Sequence, residues 1–134
     1  MPNNHYEDDL QKAVFDWAKL YRMPDHEDLE KNSKLSDYLF AIPNGAFLAG
    51  NKIQRARQMA RLKSQGLKPG VFDLMLNIAR NCYYGLDMEL KIVNNKLSSR
   101  QKEWRDRMDK AGRYTVICYD LDQVKEAIDE YINL

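Results

Sequence analysis

Gly85-Leu86-Asp87-Met88-Glu89-Leu90-Lys91 (GLDMELK) alternates apolar and polar residues in the manner of a β-strand. Period-two spacing puts Leu86, Met88, Leu90 and Ile92 on one side, where they can fill a core, and Glu89 and Lys91 on the other. A carboxylate and an ammonium two residues apart are ordinary on a solvated, salt-bridged sheet face. They become a chemical device only if a second carboxylate meets them.

Working outward, residues 71–79 and 84–92 read as two strands joined by a short polar link, able to pair as an antiparallel hairpin. Asp73 opens the first strand on the side opposite Leu74, Leu76 and Ile78. The hairpin can bring Asp73 and Glu89 together. Two hard oxygen donors, with a backbone carbonyl and waters, are what Mg²⁺ accepts. A metal so held can polarise a phosphate oxygen and lower the pKa of an attacking water. Lys91 would point into the same space, where it can steady that water or the charge developing on phosphorus. Asp87 shares the Glu89 side and is expected to be solvated.

The flanking segments frame this hairpin. Leu10, Val14, Trp17 and Tyr21 recur at helical spacing, predicting a helix over 7–21 with Glu7 at its start, on the edge of the inward side. There Glu7 can serve the site or merely complement the helix dipole, and Asp8 is a rival acid. Residues 22–37 are polar and acidic and read as loop with one short helix. Residues 38–42 suggest a short strand, followed by a turn at 43–45. A helix over 51–65 has Ile53, Ala56 and Ala60 on one side and Gln54, Arg57, Gln58 and Arg61 on another. Ser98 and Gln101 fit a capping box opening a helix to about residue 111, with Gln101, Trp104 and Met108 on one side. Residues 114–119 read as a central strand, and Asp120 caps a last helix carrying Leu121, Val124, Ile128 and Tyr131 inward. The order α, β, α, β, β, α, β, α predicts an α/β fold in a single domain, 1–134.

Charge is segregated. Residues 51–113 carry 15 Lys/Arg against 6 Asp/Glu, the remainder 6 against 14. A basic centre favours a polyanion partner, with Arg57, Arg61 and Lys63 as the proposed phosphate contacts. No apolar run reaches the ~18 residues of a membrane span, and MPNNHYEDD does not read as a signal peptide. Two histidines are too few for a histidine-rich metal site, and Cys82 and Cys118, without CxxC spacing, are expected to be buried free thiols.

The pattern Gly70-Val71-Phe72-Asp73, then Glu89-Leu90-Lys91, then Leu97-Ser98 with Gln101 and Trp104, resembles the PD-(D/E)xK nuclease superfamily. Within it, the pattern resembles the virus-type replication-repair nuclease (VRR-NUC) family. The likeness runs from about residue 42 to 131, with a weaker match in the first helix. Phe72 stands where that family usually has Pro; neither is a ligand. The resemblance implies a restriction-endonuclease-like core, a central mixed sheet flanked by helices. It implies a DNA endonuclease using Mg²⁺ or Mn²⁺, with metal held by Asp73, Glu89 and the Leu90 carbonyl. Lys91 would be catalytic, with Gln101 and Glu7 reaching the same site. It further implies a homodimer acting on branched DNA of the Holliday-junction kind, in the cytoplasm of a bacterium or a phage-infected host. A flap nuclease or exonuclease, or a non-catalytic DNA-binding module of the same fold, are the alternatives.

Overall fold

The computed structural model describes residues 4–43 and 48–134; Asn44 and Gly45 of the expected turn lie outside them. Helix α1 spans Asn4–Ala18. Leu10, Val14 and Ala18, spaced four apart, are buried along one stripe. The helix stops three residues short of the expected end because residues 21–23 take another partner. The Leu35 N–H donates to the Tyr21 carbonyl and the Met23 N–H to the Ser33 carbonyl. The chain from 24 to 34 is thereby looped back, and a short 3-10 helix, Leu35–Asp37, delivers it to the sheet.

Four strands form the sheet: β1 (Leu39–Ala41), β2 (Leu74–Leu76), β3 (Leu86–Leu90) and β4 (Tyr114–Cys118), in the order β1-β2-β3-β4. The first two pairings are antiparallel and β3–β4 is parallel. A parallel pair needs a crossover, and helix α3 (Ser99–Lys110) supplies it; the helix between β1 and β2, α2, spans Lys52–Ser64. Helix α4 (Leu121–Ile132) follows β4. Both strands of the hairpin are shorter than expected, because residues 77–85 leave the ladder to anchor elsewhere. Arg80 is buried there, donating from Nε to the Ile132 carbonyl at the end of α4 and from an amine to Asp28.

Leu74, Leu76, Leu86, Met88 and Leu90 join Val14 of α1 and Val124, Ile128 and Tyr131 of α4 in one hydrophobic cluster. The opposite face of β3, bearing Asp87 and Glu89, is met by α3 and the residues around it. Every residue of β3 is therefore buried. Its two carboxylates are not on a solvated face: Asp87 is 1% exposed and Glu89 2%.

Three further expectations change. Strand β4 is not central but lies at the end of the strand order; its apolar run reflects helices packed against its faces rather than strands on both edges. Helix α2 buries no residue. Ile53, Ala56 and Ala60 face outward, and the sheltered side is Gln58, Met59 and Leu62. Gln54 and Gln58 serve its start, Gln54 completing a capping box with Asn51 and Gln58 clasping the Ala49 backbone. Finally, Cys82 is exposed in the β2–β3 connection, whereas Cys118 is buried. No described helix is long and apolar enough to cross a membrane.

Candidate active site

The hairpin register builds the site. Leu74 pairs with Met88, so the antiparallel register carries Asp73 to the position opposite Glu89. Directly opposed residues of an antiparallel pair project to the same face, with Cβ atoms about 4.5–5.5 Å apart. The Asp73 carboxylate is held by the neighbouring strand: the Leu90 N–H donates to its Oδ2 at 3.0 Å. Gly70 makes the approach to Asp73 possible. Its φ is +92°, and a Cβ there would meet the Arg100 backbone at 2.7 Å. Only glycine lets this turn lie against the first turn of α3. Phe72, in place of proline, is 1% exposed and serves as an apolar anchor for the same turn.

Glu89 is the centre. Gln101 Nε2 donates to its Oε2 at 3.0 Å, while the same Gln101 accepts from the Ser98 N–H through Oε1 at 2.9 Å. The capping box and the contact with Glu89 coexist, because the amide has a separate donor and acceptor. Glu89 Oε1 is buried and accepts a hydrogen bond from no N–H or hydroxyl of the described residues. The carboxyl is pushed up to about 9, first by burial, then by the charge and hydrogen bond of Asp73; Lys91 opposes the rise and Glu7 adds to it. Asp73, Lys91 and Glu7 thus all act on one carboxyl, drawn from the start of β2, the end of β3 and the first turn of α1. Asp8 is exposed and lines a separate groove with Asp9 and Lys12. Lys91, half-buried, donates its backbone N–H to the Cys118 carbonyl and has no ion pair among the described residues. Arg57, Arg61 and Lys63 are exposed on α2, likewise without an ion pair among the described residues.

Asp87, expected in solvent, is instead a buried ion-pair member. Arg113 Nε donates to its Oδ1 at 2.7 Å. Burial raises its carboxyl above the usual range and Arg113 counters this. Trp104 lies close enough to oppose the rise as well, but its Nε1 falls short of hydrogen-bond geometry. Gly85 leaves room for the guanidinium, which a Cβ there would meet at 2.5 Å. The signal available in the sequence was the i, i+2 relation of Asp87 and Glu89 facing the i, i+3 relation of Gln101 and Trp104. Arg113 carried no such signal.

Among the described residues no three His, Cys, Asp or Glu side chains gather into a ready-made metal cluster. The set present is sparser: two opposed carboxylates and the Leu90 carbonyl between Glu89 and Lys91. It nonetheless fits Mg²⁺ or Mn²⁺, which keep several waters. The Glu89 Oε1, which no N–H or hydroxyl of the described residues meets, is the observation in favour, since a buried carboxylate is costly unless a cation or a proton neutralises it.

A mixed sheet covered by helices on both faces, with facing carboxylates where its hairpin opens, defines a restriction-endonuclease-like core. A solved structure named VRR_NUC domain protein has the same fold, with a TM-score of 0.75 and 30% sequence identity over 96% of this chain and 89% of that one. The chain belongs to the VRR-NUC family, a family of nucleases. No family model and no curated protein matches the chain.

Proposed function

We propose that the chain is a Mg²⁺- or Mn²⁺-dependent endonuclease that hydrolyses phosphodiester bonds in branched DNA. The observation that carries the reading is the buried Glu89, set opposite Asp73, with one carboxyl oxygen that no N–H or hydroxyl of the described residues meets. A non-catalytic DNA-binding module has no use for such an arrangement beside phosphates.

Asp73, Glu89 and the Leu90 carbonyl would hold the metal. When bound, it supplies Lewis-acid polarisation of the scissile phosphate and acidifies an attacking water. Gln101 fixes the Glu89 carboxylate through Oε2 and leaves Oε1 for the site. Lys91, beside Glu89 on the same face, orients the water or offsets charge on the phosphate oxygens. Glu7, whose charge acts on Glu89, would accept a hydrogen bond from a water at the same centre. Arg57, Arg61 and Lys63 on α2 contact backbone phosphates whatever the base sequence.

The test is cleavage of labelled four-way junction, flap, single-stranded and duplex DNA with Mg²⁺ or Mn²⁺, for wild type and Asp73→Asn. The variant is expected to keep its fold, lose cleavage and lose most of its Mn²⁺ heat in calorimetry. Undiminished Mn²⁺ binding in Asp73→Asn contradicts the metal assignment. Cleavage of flaps and junctions alike favours the flap-nuclease alternative.

A further inference from the structure

Where the turn after α2 meets α3, a notch of about 210 Å³ is lined by Lys68, Pro69, Arg100, Glu103, Trp104 and Arg107. Arg100, Glu103, Trp104 and Arg107 follow i, i+3, i+4, i+7 spacing and so form one stripe of α3. Lys68 comes from the facing turn. The two walls are held in register by the close approach of Gly70 to the Arg100 backbone. Lys68, Arg100 and Arg107 are exposed, and none has an ion pair among the described residues. Glu103, the single acid of the lining, also lacks one among them. A solvated helix face would alternate its charges and pair them. Here three cations from two elements converge on a concave space, a surplus of positive charge that the single acid Glu103 does not balance.

The place of the notch gives it meaning. Arg100 precedes Gln101, whose amide holds Glu89, and Gly70 lies three residues before Asp73. A strand whose phosphate sits at the carboxylate pair offers further phosphates at about 3.4 Å of axis rise each. We infer that this notch is a second phosphate site, which grips a backbone phosphate neighbouring the scissile one and so sets the position of the strand in the active site. The ligand class is a nucleic-acid phosphodiester, bound without base readout. Lys68 and Arg107 supply charge from opposite walls, and the inward-facing Trp104 fixes the floor. Glu103 weakens the grip, which favours release of the cut strand. The inference rests on the nuclease reading and goes beyond it to residues outside the catalytic motif and outside α2.

The experiment measures DNA affinity against salt concentration in EDTA, on two duplexes of unrelated sequence, for wild type, Lys68→Ala/Arg107→Ala and Glu103→Gln. Cleavage and Mn²⁺ calorimetry are run beside it. The double variant is expected to lower the salt slope by about two units, equally on both sequences, with the Mn²⁺ heat unchanged. Glu103→Gln is expected to bind DNA more tightly than wild type, an effect of the opposite sign that damage to the fold does not produce. An unchanged slope in the double variant, in a wild type that binds and cuts DNA, makes the notch an ordinary solvated surface and leaves the nuclease reading standing. If the double variant loses its Mn²⁺ heat, Glu103→Gln decides: no gain in affinity overturns the inference. A wild type that neither binds nor cuts DNA removes the nuclease reading and the notch with it.

Discussion

Glu89 carries two burdens. It is buried, and it faces Asp73. Without metal the cheapest answer is to keep its proton. Its carboxyl titrates near 4.5 in the unfolded chain and about 9 in the folded one. Between those values the folded state holds a proton that the unfolded state has lost, so stability falls as pH rises through that window. Glu89→Gln has nothing to titrate. In chelator its melting temperature should exceed that of wild type by a margin that is negligible below about pH 4.5, grows with pH and levels off near 9. Thermal scans at about pH 5 and about pH 8.5, inside that window, check this; a margin independent of pH contradicts it. Asp87 meets burial differently, by pairing with Arg113. Removing one partner of a buried pair leaves the other uncompensated, so Arg113→Leu should cost about 3–5 kcal/mol in urea unfolding. Arg113→Lys, which keeps the charge but not the Nε geometry, should recover part of that loss.

At the scale of elements, α3 does more than cross between β3 and β4. Ser98 starts it, Gln101 closes its capping box and also reaches Glu89, and Trp104 covers Asp87. Replacing Ser98 removes only the cap, which costs about 1 kcal/mol. Gln101→Ala removes the cap's second half and frees Glu89. We expect it to lower Mn²⁺ affinity and cleavage together, whereas Ser98→Ala should lower stability with little change in Mn²⁺ affinity. Equal Mn²⁺ affinities in the two variants would reduce Gln101 to a capping residue. Helix α2 is the opposite kind of element. It buries nothing, so its sequence is free to serve its exposed side. Arg57→Ala/Arg61→Ala should leave stability within about 0.5 kcal/mol and lower the DNA salt slope by about two units.

At the scale of the whole molecule, a four-way junction has two scissile strands related by approximate two-fold symmetry, which a C₂ dimer matches by using each interface residue twice. Tyr131 takes no part in such an interface, because it is 1% exposed and its hydroxyl donates to the Ile78 carbonyl at 2.6 Å. The outer side of β4, like that of β1 at the other end of the sheet, has no strand neighbour among the described residues. An unpaired strand edge is a template for a second chain. The expected outcome is a homodimer by light scattering at micromolar concentration, with tighter competition binding to junctions than to linear duplex of equal length. A stable monomer without that preference contradicts it.

Periodicity determined most of the elements by itself. Alternation marked the hairpin, spacing of three and four marked the helices, and Ser98 and Asp120 marked the starts of two of them, because these patterns depend on neighbours within one turn or one pleat. The pairing of Asp73 with Glu89 was legible for the same reason, since a hairpin's register is local. The burial of Asp87, the exposure of Ile53 and Cys82, and the position of β4 at the sheet edge were not legible. Each depends on which surface another element covers. Asp87 is buried because α3 and Arg113, 26 residues away, close over it. Strand β4 looks central because helices supply the apolar cover that a strand pattern cannot tell from neighbouring strands. Helix α2 leaves Ile53, Ala56 and Ala60 outward and only half-covers Met59 and Leu62, because no described element packs closely enough to bury them. Local chemistry is written in the order of residues, whereas long-range cover is decided only when the chain has folded back on itself.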